Sequence, residues 1–171
     1  LEASYNQVSM NTTFINSTYT MSGIESYYAS NPTTILEFIQ EALTKAQSDV
    51  NSSGGYGIFR HIVIVHSGTD AAATHNPADI TSEFVYNISS LIIGGVRITN
   101  ACIVAETDPL GVVVHELGHS QGLPDLYNYA TSGLGDTFMG DWDLMAAGSW
   151  NPKPQGTSPS HPSTWCKNKL G

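Results

Sequence analysis

The stretch "HELGHSQGLPDLY", from His115 to Tyr127, holds two histidines four residues apart, a glutamate beside the first, and an aspartate six residues beyond the second. On a helix, positions i and i+4 share one face, so His115 and His119 can place imidazole nitrogens on one metal ion. Zinc is the expected ion, because it suits neutral imidazole and no thiolate lies nearby in the sequence. Glu116 is angled away from the pair. From there it can reach a metal-activated water as general base and later act as acid toward a leaving amine. The bland alternative is a chance histidine pair on a partly exposed helix. Against it, two histidines and a glutamate among Val113, Val114 and Leu117 would be costly to desolvate without a metal.

A zinc with two histidines needs at least one more protein ligand and a position left for water. Gly122 falls where a left-handed residue would end the helix, and Pro124 prevents the helix from resuming. Asp125 is thereby returned toward the face the chain has just left, and it is the favoured third ligand. The competing reading is that Asp125 only caps the turn. Asp136, Asp141, Asp143 and the histidines at 61, 66, 75 and 161 are rivals without a comparable spacing argument.

The elements that must position these groups are readable in outline. "DPLGVVVHELGHSQGL" reads as a helix with Asp108 as cap and Pro109 in its first position. Three consecutive valines have poor helix propensity, so burial must hold this helix. "NPTTILEFIQEALTKAQSDV" predicts a second helix, capped by Asn31 and started by Pro32. Its apolar face is Ile35, Ile39, Ala42, Leu43 and Ala46, and "NSSGGYG" ends it. "FRHIVIVHSG" predicts a buried strand, and "TDAAATHNPAD" a loop. Two or three strands are expected between Glu83 and Glu106, with Gly94-Gly95 as a turn. The stretch before Tyr28 suggests short strands, "NPKPQGTSPSHP" an extended loop, and "PSTWCKNKL" a last short helix. The fold class is α+β.

With 171 residues, 40% of them hydrophobic and 12% charged, the chain is expected to form a single globular domain with a sizeable core. The net charge of −9, with only six Lys and Arg, argues against nucleic-acid binding through a basic patch. No apolar run is long enough to span a bilayer, so membrane insertion is not expected. No signal core precedes Leu1, so any targeting peptide is expected to be removed or not included. Sequons at Asn11, Asn16, Asn51 and Asn87 give weak support for secretion. Cys102 and Cys166 could pair or remain two buried thiols; their spacing suits no Cys-x-x-Cys motif.

"HELGHSQGLPD" resembles the extended metzincin zinc motif with Asp in the third-ligand position. Together with "GDWDLMAAGSWN", "HIVIVHSG" and "PSHPSTWCKNKLG", it resembles the immune inhibitor A family of secreted metallopeptidases over about Arg60 to Gly171. The resemblance implies a metzincin-like domain. Such a domain has a twisted mixed sheet with a backing helix, a buried zinc-binding helix and a turn at Met145 beneath the metal. It also implies a zinc endopeptidase outside the cell, acting on protein or peptide substrates and excised from a longer precursor; a monomer is expected. Asn128 stands where relatives often carry an acidic residue, which puts an auxiliary calcium site in doubt. Tyr127 or Tyr129 could hydrogen-bond the oxyanion, or both could be packing residues.

The chemistry expected of His115, His119, Asp125, one zinc and Glu116 is metal-assisted peptide hydrolysis. The substrate would extend along an edge strand drawn from Glu83 to Thr99. Activity should fall in acid as the histidines protonate. A zinc-bearing module without catalysis, and a zinc hydrolase of another amide or ester, are the alternatives.

Overall fold

The computed structural model of the chain describes residues 11–88, 90–128, 139–152 and 155–171. The sequons at Asn11, Asn16, Asn51 and Asn87 all fall on exposed asparagines, whereas Tyr129 and Asp136 lie outside the described residues.

A short helix α1 (Glu25–Tyr28) leads into the long helix α2 (Pro32–Ser52). The expected strands before Tyr28 do not occur among the described residues, where coil and α1 stand instead. At the start of α2, Asn31 Oδ1 accepts from the backbone N–H of Thr33 and Thr34, and Thr34 Oγ1 accepts from Asn31 N–H. This reciprocal cap is worth about 1 kcal/mol and fixes where the helix begins. Ile35, Phe38, Ile39, Leu43 and Val50 turn inward from α2 and form the main core with Ile80, Ile88, Ile93, Ile98 and Ile103.

A single 3-10 turn (Tyr56–Ile58) precedes β1 (Val63–His66), and a short helix α3 (Ala71–Thr74) follows it, capped by Asp70. The segment "TDAAATHNPAD" is thus partly helical, not all loop. Four strands follow: β2 (Glu83–Tyr86), β3 (Ile92–Ile93), β4 (Val96–Arg97) and β5 (Asn100–Ala105). β3 and β4 form a hairpin across Gly94-Gly95, whose φ values of 57° and 81° are those a two-residue hairpin loop needs.

The three-stranded sheet has the order β1-β5-β2, with β1 parallel and β2 antiparallel to β5. The expectation of a buried strand at "FRHIVIVHSG" is therefore corrected. β1 lies at an edge, and Val65 is 63% exposed. The reason is coverage: α4 (Leu110–Ser120) packs over β5 and β2, leaving that face of β1 open. The buried central strand is β5, and its two faces meet different helices. Ala101 and Ile103 join the core under α2, whereas Cys102 faces α4, its thiol 3.5 Å from the Glu116 carbonyl. The architecture is a mixed α+β sandwich, helix on sheet on helix.

The start of α4 differs from expectation. Pro109 is the cap residue and Leu110 the first helical one, so Asp108 does not cap the helix. Its carboxylate accepts instead from Ala105 N–H at 2.7 Å, with the Ser82 hydroxyl also bonded to it. Asp108 thus ties the end of β5 to the approach of β2. After α4, the 3-10 turns Gly140–Trp142 and Ala147–Trp150 flank the Met145 segment, and α5 (Thr164–Leu170) ends the fold with Ser163 as its cap. Cys102 and Cys166 are both free, buried thiols, so the pairing alternative does not hold. Among the described residues no helix is long and apolar enough to cross a membrane.

Candidate metal centre

The site is built on the last two turns of α4. His115 and Glu116 are buried, and His119 lies one turn on. The two imidazoles stand edge to face with centroids 4.7 Å apart. The helix then stops abruptly. Gly122 takes φ 88°, its N–H donates to the His119 carbonyl, and the Leu123 N–H donates to the Gly118 carbonyl. Those two bonds are the Schellman pattern, and a left-handed glycine is what permits them. The predicted glycine brake at 122 is therefore present, and it reverses the chain toward the histidines.

Asp125 returns with it. Its Oδ1 lies 2.9 Å from His115 Nε2 and 3.2 Å from His119 Nε2, and the two Nε2 atoms are 3.1 Å apart. The donor atoms of His115, Glu116 and His119 also lie within 4.8 Å of one another.

The tautomers follow from the other ring nitrogens. His115 Nδ1 is 2.9 Å from the Leu144 carbonyl, and His119 Nδ1 is 2.8 Å from the Leu123 carbonyl. A carbonyl only accepts, so both Nδ1 atoms donate and both Nε2 atoms of the neutral rings carry lone pairs. Two imidazole lone pairs and a carboxylate oxygen then face one another in a largely dry place. That arrangement is unfavourable unless a cation sits among them. Without a metal, a proton is drawn there. Burial opposes a charge on His119, but the Asp125 carboxylate and the Leu123 carbonyl outweigh it and raise the pKa. The spacing is close to that of a zinc site, since ligand atoms about 2.1 Å from a tetrahedral ion stand roughly 3.4 Å apart.

Glu116 points to the sheet side of this cluster. Burial first, and then the Asp125 carboxylate, push its carboxyl up to about 7 against the lowering pull of the two histidines and of the Phe84 N–H. That N–H belongs to β2, so the glutamate lies close to the sheet edge. The Phe84 ring lies near-parallel to His119 at 6.4 Å between centroids, and Tyr127 lies similarly against His115 at 6.3 Å.

The rival ligands among the described residues are elsewhere. Asp143 is fully buried, with its carboxylate accepting from Met145 N–H at 2.7 Å, from Ser163 N–H at 2.9 Å, and from the Cys166 thiol. His61 contacts Gln121, and His66 Nδ1 donates to Ser67. His75 caps α3, and the Asp141 carbonyl accepts from Asn151 and Ser160. His161 is exposed near the start of α5.

Three contributors lie outside the motif. Met145 is fully buried below α4, and an added Cβ on Gly118 would sit 2.6 Å from its sulfur. Gly118 is therefore the residue that lets the methionine pack against the helix. The Leu144 carbonyl, one residue earlier, orients His115. Asp143 pins the whole turn. The spacing Asp-x-Met was a legible trace of a side chain capping its own turn, but its other partners lie 20 and 23 residues away.

A sandwiched sheet, a His-Glu-His helix and a methionine turn beneath it together define a metallopeptidase catalytic domain. Residues 24–171 match the immune inhibitor A peptidase M6 family, catalytic domain, and the chain belongs to that family. It is 30% identical over 141 residues to the pre-pro-metalloprotease PrtV of Vibrio cholerae serotype O1 (strain M66-2), covering 71% of this chain and 15% of that protein. It is 29% identical over 133 residues to immune inhibitor A of Bacillus thuringiensis subsp. alesti, covering 67% of this chain and 19% of that protein. The chain thus spans less than a fifth of the length of either relative.

Proposed function

We propose that the chain is a zinc-dependent endopeptidase domain that hydrolyses peptide bonds of extracellular proteins, with a metzincin-like arrangement of its site. The observation that carries this reading is the meeting of His115 Nε2, His119 Nε2 and Asp125 Oδ1 within 2.9–3.2 Å, with both Nδ1 atoms already committed to carbonyls. Those three residues would hold the ion. Zinc, when bound, would polarise the scissile carbonyl and make an attacking water acidic enough to lose a proton near neutrality.

The chain's own groups do the rest. Glu116 takes the proton from the attacking water and delivers it to the leaving amine nitrogen, so one carboxylate serves as base and then as acid. The nearby Phe84 N–H favours the charged form of that carboxylate. The outer edge of β2 would accept the substrate as an added strand, delivering its scissile bond beside Glu116. The Leu144 and Leu123 carbonyls keep both rings in the tautomer that leaves Nε2 free. In this reading the chain is part of a longer secreted protein and acts as a monomer.

The test pairs metal content with hydrolysis of casein. Glu116→Ala should retain one zinc per chain and lose activity by about 10²- to 10⁴-fold. A variant that binds zinc and cleaves as fast as the parent would overturn the mechanism.

A further inference from the structure

Beside β2 lies a cleft on the opposite face of the sheet from the metal centre. The register decides which residues look into it. Glu83 stands opposite Ile103 and Val85 opposite Ala101, both on the α2 face, whereas Phe84 stands opposite Cys102 on the α4 face. Phe84 accordingly reaches His119, and Glu83 and Val85 turn the other way. The cleft, about 370 Å³, lies between these two residues and the first turns of α2, with Ala29, Pro32, Ile35 and Leu36 as its apolar wall. That size falls within the range of about 300–1,000 Å³ usual for ligand sites.

Glu83 is the one carboxylate among the described residues of the lining. It makes no hydrogen bond or ion pair among the described residues. Burial alone pushes its carboxyl above the ordinary value, the mark of a charge lacking compensation. The neighbouring Asn31 side chain offers nothing to a ligand cation, because its oxygen is spent on the Thr33 and Thr34 N–H groups. Among the described residues no strand pairs with the outer side of β2. A peptide added there would send alternate side chains to alternate faces. Those on the α2 face would fall directly over the cleft.

We propose that this cleft is a substrate subsite for a basic side chain, whose aliphatic stem lies along Ile35, Leu36 and Val85 and whose charged head pairs with Glu83. The inference rests on the peptidase reading for the position of the substrate strand. The stem would cover apolar wall while the head supplies the missing counter-charge, which neither an acidic nor a purely apolar side chain can do. Because Glu83 is adjacent to Phe84, whose ring lies against His119 and whose N–H is near Glu116, the basic residue would lie close to the cleaved bond.

The experiment uses the zinc-loaded chain and quenched-fluorescence peptides that differ only in lysine or norleucine at each position flanking the cleaved bond. At one position lysine should raise kcat/KM about tenfold over norleucine, equivalent to about 1.4 kcal/mol. Glu83→Gln should bring that ratio close to one, and Glu83→Lys should invert it. In a parent that cleaves, an absence of lysine preference at every position, or a ratio unchanged in Glu83→Gln, overturns the subsite. Fluorescence anisotropy of the same peptides on zinc-loaded Glu116→Ala separates this result from failure of the peptidase reading. Tighter, Glu83-dependent binding of the lysine peptide without cleavage in the parent would sustain the cleft and sink the peptidase. Equal binding of both peptides would overturn the cleft.

Discussion

The Leu144 carbonyl lies 2.9 Å from Nδ1 of His115, so the residue before the buried methionine sets the tautomer of a candidate metal ligand 29 positions earlier. That carbonyl is held in place from behind. Asp143, one residue further back, accepts from Met145 N–H, Ser163 N–H and the Cys166 thiol, which joins the turn to α5.

Removing that anchor should therefore be felt at the metal. Asp143→Ala leaves buried donors without a partner, a loss of about 3 kcal/mol or more. For a domain of this length the melting temperature should drop by roughly 10 °C. Zinc affinity, measured by competition with a chelator, should weaken about 10- to 100-fold through the misaligned His115 ring. Parent-like zinc affinity in a folded Asp143→Ala protein would show that the turn does not orient the ligand.

Gly118 and Met145 should behave as a coupled pair. A Cβ on Gly118 meets the Met145 sulfur at 2.6 Å, and the methionine is fully buried. Gly118→Ala in the parent should cost about 1–3 kcal/mol by overpacking. In a Met145→Ala background the same change should cost far less, giving a coupling above about 0.5 kcal/mol in denaturant unfolding. Additive effects would mean that the contact does not limit the helix. Gly111 offers no such relief. Its added Cβ would collide with the Ser149 carbonyl oxygen, backbone that no side-chain truncation can move.

Acid should unfold the α1–α2 corner for an identifiable reason. Glu41 accepts from the Ser22 hydroxyl and N–H and from the Tyr28 hydroxyl, with Lys45 alongside. These bonds, the Ser22 one foremost, lower its pKa from the usual 4.5 to about 2. A depressed carboxylate contributes stability that is complete above its unfolded value and is lost as pH falls through the folded one. The parent should therefore lose stability between about pH 4.5 and 2 more steeply than Glu41→Gln, as read by thermal unfolding across that range. Parallel curves would remove Glu41 from the account.

Several of these features were legible in the sequence because they are local. Asn31-Pro32 announced the start of α2, Gly94-Gly95 the hairpin, and His115, His119 and Gly122 the shape of the site, since each depends on neighbours within a few residues. What failed depended on distant partners. Asp108 looked like a cap but is drawn off by Ala105 and Ser82. The valines of β1 looked buried, yet which face α4 covers is a tertiary choice that an apolar run does not encode. Asp143 stood only as a rival ligand, because its bonds to Ser163 and Cys166 join segments that meet only in the folded chain. The cleft beside Glu83 is likewise a product of register and of where α2 begins.

The proposed site has His115, His119 and Asp125 holding one zinc ion. Its most direct test is the metal coordination in a crystal of the zinc-loaded protein. One zinc per chain is expected, with both histidine Nε2 atoms and an Asp125 carboxylate oxygen at about 2.0–2.2 Å. A zinc on other residues, or one whose distance to the Asp125 carboxylate is well beyond about 2.2 Å, would contradict it.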